Sequence, residues 1–297
     1  MVTPADPVLL VGDVVALGDG QARAYSSDGR HVELAHVTDT TLAALDMLDG
    51  RRSWASLLGC GTASGELFTT LASHGMLVRS EDGPRHRVRL YGCGPLGWRV
   101  ASDLVRGGST HLTLVDATAA AAPDVGLTAA QALAERLRAV RGARVSVDEH
   151  WPVGGAAVDL AIVASTTVEI DRAVIADLGR NGVAALVVCA HQTSAVVGPL
   201  LRPGARACLH CLDLARSEAD PAWPVVVGAL CSRPARPSPV VVGWAAGVAC
   251  ALVEAIWAGA DTALEATTWR WETRRPGPWV TSWPAHPSCG CRFGQAA

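Results

Sequence analysis

The sequence predicts an α/β protein in two parts: a doubly wound, mainly parallel sheet domain preceded by a small α+β domain. Three observations carry this prediction. From residue 86 onward, short apolar strands alternate with amphipathic helical segments. The first turn of that series, Gly92-x-Gly94-x-x-Gly97, lies between a predicted strand and a predicted helix. Ahead of it, about 80 residues run in a different order, three strands and then about three helices.

A length of 297 residues accommodates two domains. With 49% hydrophobic and 18% charged residues, the chain has the makings of a normal core. A net charge of −3 gives no basic face, which argues against nucleic-acid and anionic-membrane partners. The 25 basic residues are all arginine. A phosphate-gripping or Schiff-base lysine is therefore excluded. The N-terminus MVTPAD lacks a basic stretch before an apolar one, so a cytoplasmic location is expected.

In the front part, VLLVGDVVAL is apolar and β-branched, GDGQ is a turn, and ARAYSS and HVELAHV alternate. Asp39 and Thr40 are placed to cap a helix over TTLAALDML, which Asp49-Gly50 ends. Short helices are expected at SWASLL and at GELFTTLASHGMLV. The polar stretch SEDGPRHR, residues 80–87, reads as the linker, giving domains at 1–82 and 86–297.

In the second part, Val88–Tyr91, HLTLVDA, ARVSVDE, DLAIVAST and AALVVCA read as strands, with helices between most of them. Ser238–Ala258 approaches membrane-span length. Glu254 within it and the missing basic flank favour a buried core helix over a span.

The glycine turn describes a Rossmann-type half, and Asp116 ends the second strand about 20 residues on, where a carboxylate accepts hydrogen bonds from a ribose. Gly92, Gly94, Gly97 and Asp116 are thus the candidate nucleotide residues. The competing reading is that the glycines only allow a helix to pack closely on the sheet. Of nine cysteines, Cys208-x-x-Cys211 and Cys289-x-Cys291 form two short pairs in turn-like surroundings. Reducing compartments disfavour disulfides, so the pairs read as a closed, structural four-thiolate zinc site. His210 and His286 are substitute ligands, and Cys189 and Cys250 in apolar runs read as core.

GCGPLG, the strand-final Asp116, and VGPLLRPGARACLHCLDL followed by the CxC tail resemble the ThiF/E1-like adenylating superfamily. PGARACLHCLDLARSEADPAWP further resembles the E1-like C-type (leader-peptide-binding) proteins of thiazole/oxazole-modified peptide (TOMM) cyclodehydratases. Residues 1–82, by element order and by Leu48-Asp49-Gly50, resemble the RiPP recognition element, a PqqD-like winged-helix domain. The resemblance implies a homodimeric scaffold for natural-product (RiPP) biosynthesis. It would bind a leader by strand addition at residues 31–37, with Val32, Leu34, His36, Leu67 and Leu71 as contacts. A partner YcaO-type cyclodehydratase would then form azolines.

The departures from the adenylating pattern matter. Ala117-Thr118 stands where a second acid is expected, and no arginine lies between Arg106 and Arg136. Leu127-Thr128 stands near the place of the missing lysine, residues 165–168 (STTV) replace a metal-holding aspartate, and the turn carries Pro95. Adenylyl chemistry depends on neutralising phosphate charge. No residue of this chain is therefore expected to be catalytic, and ATP is not expected to be used. Cys231 is the sole candidate for a crossover-loop nucleophile, though an ordinary loop cysteine accounts for it. The rival readings are an active ATP-dependent adenylyltransferase acting on a peptide or carrier-protein C-terminus, a nicotinamide oxidoreductase, and a nucleic-acid-binding winged helix.

Overall fold

The computed structural model describes residues 2–26, 29–79, 86–108, 110–140, 143–153, 157–204, 206–260 and 264–292. Most of the expected linker, residues 80–85, lies outside the described residues. The chain divides into two compact units, Met1–Gly83 and Pro84–Ala297.

The first unit runs β1 (Pro7–Leu10), β2 (Asp13–Gly18), β3 (Gln21–Tyr25), β4 (His31–Leu34), α1 (Asp39–Asp46), β5 (Asp49–Ser53), α2 (Trp54–Gly59), α3 (Gly65–Ser73) and β6 (Leu77–Arg79). It holds two antiparallel three-stranded sheets, ordered β5-β1-β6 and β2-β3-β4. Each helix starts at a hydroxyl side chain that accepts from the chain three residues on: Thr38 for α1, Ser53 for α2 and Ser64 for α3. The cap of α1 is therefore one residue ahead of the expected Asp39. Trp54, Leu71, Leu45 and Val8 fill the core, and Trp54 donates its indole N–H to the Ser64 carbonyl at 3.2 Å.

Two strands depart from the sequence reading. Asp49–Ser53 is a strand where a helix-ending turn is expected. Its sequence DGRRS has no apolar alternation, so the strand is made by pairing with β1 rather than by its own pattern. The expected third helix stops at Ser73, and after Gly75 at φ +68° the chain re-enters the sheet as β6.

The second unit runs β7 (His86–Tyr91), α4 (Pro95–Gly107), β8 (Thr110–Val115), α5 (Ala129–Arg138), β9 (Arg144–Val147), β10 (Leu160–Ala164), α6 (Arg172–Arg180), β11 (Ala185–Ala190), β12 (Ser194–Leu201), α7 (Leu209–Ala219), α8 (Trp223–Ser232), α9 (Pro239–Trp257), β13 (Thr267–Glu272) and β14 (Trp279–Ser282). One eight-stranded sheet has the order β14-β13-β12-β11-β10-β7-β8-β9. The strands from β11 to β9 pair in parallel, while β12, β13 and β14 extend the sheet antiparallel. The sequence reading stops at β11 and treats β12 as part of a crossover, so these three strands are new.

Residues of α4, α5 and α9 share one core with Val88, Leu90, Leu112 and Ile162 of the sheet. Residues Tyr91, Val163, Val187 and Leu201 belong to a second core with α6 and Leu209. α9 is apolar and long enough to cross a bilayer by length and composition alone. Its Val241, Ala245, Ala246, Ala249 and Val253 are fully buried in the first core, and it packs on α4, β11 and β12. These residues form one buried face of the helix, while Val240 is exposed.

Candidate functional site

The glycine turn sits at the carboxyl end of β7, where open α/β sheets bind ligands. Its glycines have separate causes. Gly92 has φ +88°, and a Cβ there would overlap the Ala164 carbonyl oxygen. A Cβ at Gly97 would overlap the Gly92 carbonyl oxygen. Close packing of turn, helix and neighbouring strand therefore demands both. Gly94 has an ordinary φ of −66°, and its Cβ would meet only the Thr166 methyl, at 3.2 Å.

Gly94 borders a cavity of about 580 Å³, lined also by Pro95, Trp98, Asp116, the run Ala119–Ala122, Arg136 and Thr166. The cavity's polar groups are largely engaged with the protein itself. Asp116 accepts the Cys93 amide at 2.7 Å on one oxygen, and the Thr118 amide at 3.0 Å and hydroxyl at 2.6 Å on the other. It ties the glycine turn to its own loop. Arg136 is ion-paired with Asp124. Thr166 presents its methyl to the cavity beside Gly94. At the α4 N-terminus, Pro95 removes one of the N–H groups that would face an anion. Burial beside Asp116 pushes the Cys93 thiol up, so it is neutral.

Sequence reasoning missed Arg136. It reaches the cavity because Ala129, Ala132, Leu133 and Arg136 fall on one face of α5 and all line it. That i, i+3, i+4, i+7 spacing was a readable signal.

A second constellation brings the cysteine pairs together. The sulfurs of Cys208, Cys211, Cys289 and Cys291 lie within 4.8 Å of one another. Individual separations are 3.8 Å for Cys208–Cys211, 3.6 Å for Cys208–Cys289 and 3.5 Å for Cys211–Cys291. A disulfide would need about 2.05 Å. A zinc tetrahedron with Zn–S bonds of about 2.3 Å has S···S edges of about 3.8 Å. The donor set and spacing fit a closed tetrathiolate site. Cys208 and Cys211 come from the start of α7, and the tail supplies the other pair. Ala207, Leu212 and Ala266 are buried around them. Although burial opposes it, backbone groups of His286 and Cys208 lower the Cys211 thiol to about 7. The two candidate substitute ligands are elsewhere: His286 bonds Glu218 at 2.8 Å, and His210 is exposed.

Cys231, at the end of α8, donates its thiol to the Ile170 carbonyl at 3.1 Å, with an Arg172 nitrogen 3.5 Å away. Burial raises its pKa, so the arginine does not make it a thiolate at neutral pH. Around it, Arg172 pairs with Glu169 and Asp213, Arg216 with Glu169, and the Trp223 indole donates to Asp213. This network clamps α7 and α8 to the start of α6.

In the first unit, Val32, Leu34, Leu67 and Leu71 are buried in its core. They shape β4 and α3 from within and leave no side-chain surface for a ligand. His36 is exposed at φ +57°. β4 is a sheet edge, and a groove of about 730 Å³ beside it is lined by Arg30, His31, Ala72, His74 and Met76.

No protein-family model and no curated protein matches the sequence. Solved structures do match in fold. Escherichia coli MccB with SeMet MccA aligns over 96% of this chain and 99% of its own, at 15% identity and a TM-score of 0.58. E. coli MccB with ATP gives the same identity and coverages at a TM-score of 0.59. SeMet PaaA, at 15% identity, covers 67% of this chain and 73% of its own, with a TM-score of 0.51. At that identity the likeness establishes one thing: the chain has the fold of these proteins, along nearly its whole length in the case of MccB.

Proposed function

We propose that this chain is a peptide-binding accessory protein built on an E1-like fold whose nucleotide chemistry has been dismantled. The first unit, in the role of a RiPP recognition element, holds the leader of a ribosomally made precursor. The second docks on a YcaO-type cyclodehydratase that forms azolines, and tethering raises the local concentration of the core peptide without a catalytic residue here. The chain works in the cytoplasm as a homodimer, with zinc on Cys208, Cys211, Cys289 and Cys291 as a purely structural ion.

One observation carries this reading: the charge inventory of the glycine-turn cavity. Its single guanidinium among the described residues is neutralised by Asp124, its aspartate is engaged by the turn, and the chain has no lysine. Phosphoryl and adenylyl transfer require cations held in advance toward the developing phosphate charge. The neighbours support the biosynthetic setting, since one is described as a microcin C7 biosynthetic enzyme and is solved with N-formylated MccA. The leader would add a strand to the β4 edge, and the groove beside α3 would take its side chains.

Titration of a fluorescein-labelled candidate leader into the full chain tests the reading by anisotropy. Saturable binding below about 10 μM is expected, and none at tens of micromolar would overturn it. The second reading, an active adenylyltransferase, draws on the retained cavity with Asp116 and Arg136 and on a neighbour solved with ATP. ATP–pyrophosphate exchange by the pure protein, abolished by Arg136→Ala, would establish that enzyme and end the scaffold reading. No exchange above buffer is expected.

A further inference from the structure

The second unit contains a cavity apart from the glycine turn, with Cys208 and Cys291 of the cysteine cluster on its edge. It lies between α6 and α7 and measures about 510 Å³. Its floor is Val183, Ala185 and Leu201, all residues of the second core. Small neutral ligands occupy cavities of about 300–1,000 Å³ with mostly apolar walls.

The two arginines at its edge are already paired, Arg202 with Glu265 at 3.8 Å. Arg172 gives Nε and Nη2 to the two Asp213 oxygens at 3.2 and 2.8 Å, and Nη1 to Glu169 at 3.0 Å and the Ile170 carbonyl at 2.8 Å. Asp213 also accepts the Trp223 indole at 3.0 Å. A charged ligand would have to break this network, whereas an uncharged one meets apolar walls.

The space is also held open by small residues where larger ones fit. Gly179 lies in the last turn of α6, outside the positive-φ region, with nothing within 4 Å of where its Cβ would stand. Neither backbone conformation nor packing asks for glycine there, and alanine is the better helix former. Glycine at that point leaves the wall recessed beside Ala176.

We propose that this cavity binds a small neutral apolar molecule, aliphatic or aromatic. The site is independent of leader binding and of nucleotide chemistry. N-phenyl-1-naphthylamine, neutral and fluorescent in apolar surroundings, is the probe, used with the full zinc-containing chain. Saturable one-to-one binding is expected, displaced by 1-octanol. Ala176→Trp and Gly179→Leu should each weaken it at least tenfold, while Val225→Asp on exposed α8 leaves it unchanged. Should Ala176→Trp prove unstable, Gly179→Leu, with open space around its Cβ, carries the comparison.

Four results would overturn the proposal. The filled variants bind like the parent; Val225→Asp abolishes binding; only a leader peptide displaces the probe, which makes the occupant a side chain; or a chain lacking residues 293–297 binds while the full chain does not, which assigns the cavity to its own tail.

Discussion

Replacing Cys289 and Cys291 together by serine removes half of the tetrathiolate and unties the tail from α7. The magnitude follows from the geometry. Cys208 and Cys289 are 81 residues apart in sequence with sulfurs 3.6 Å apart. A cross-link closing a loop of that length restricts the unfolded chain by about 4.5 kcal/mol on the chain-entropy estimate used for disulfides. For a unit of about 200 residues, 1 kcal/mol moves the Tm by roughly 2–4 °C, so a fall of about 9–18 °C is expected. Metal analysis should give about one zinc per parent chain and none in the double variant. Prolonged chelation of the parent should reproduce the variant's Tm, because ion and thiolates act as one clip. The reasoning fails if the purified parent carries no metal while all four thiols react freely. It also fails if metal is lost without a fall in Tm beyond about 3 °C.

The glycine turn offers a contrast between neighbouring positions. Gly97→Ala forces a methyl against the Gly92 carbonyl and should destabilise by about 3 kcal/mol, whereas Gly94→Ala, facing a movable Thr166 methyl, should lose under about 1 kcal/mol; urea unfolding of both variants measures the difference. Arg89 is only 1% exposed and holds Asp148 at 2.8 Å, Tyr91 at 2.9 Å and the Pro152 carbonyl at 3.2 Å. Asp148→Asn should therefore destabilise by about 1–3 kcal/mol at pH 7, read from thermal melts. Against the opposing effect of burial, the His150 amide and Arg89 hold the Asp148 carboxyl below its ordinary range. The unfolded chain thus binds this proton more readily, the contribution is present above the ordinary carboxylate pKa, and it fades as the pH drops through the folded value. The gap between parent and variant melts should accordingly narrow on acidification.

In the parallel part of the large sheet, β10 and β11 were legible because both are buried throughout and read as continuous apolar runs, LAIVA and ALVVCA. The cysteine pairs were legible because short spacings leave little freedom in where the sulfurs point. The antiparallel extension was not. β13 and β14, TTWRWE and WVTS, are only partly buried, and what commits them to the sheet is the pairing of β13 with β12 across a long stretch of sequence, to which β14 adds by pairing with β13. β5 failed for the same reason, since its pairing with β1 is non-local. Val32, Leu34, Leu67 and Leu71 illustrate a different limit. Alternation in β4 and helical spacing in α3 mark one apolar face each, but the pattern does not distinguish a face that closes a core from one that receives a peptide. Here both faces close the core.

The structure also shows what holds the glycine turn in place without a ligand. Gly92 and Gly97 are required by backbone contacts within the turn itself, and Asp116 by the amides of Cys93 and Thr118, so none of the three depends on a ligand for its place. The groups that handle phosphate charge in adenylating enzymes are surface cations and metal-binding carboxylates at the strand ends, where Ala, Leu or Thr is tolerated without disturbing the core. Fold and chemistry therefore rest on different residues, and one can persist while the other is dismantled. A glycine motif followed by an aspartate is for that reason good evidence of a turn and weak evidence of a reaction. The reaction must be read from the charges around it, and in this chain the one guanidinium described there is held by the carboxylate of Asp124.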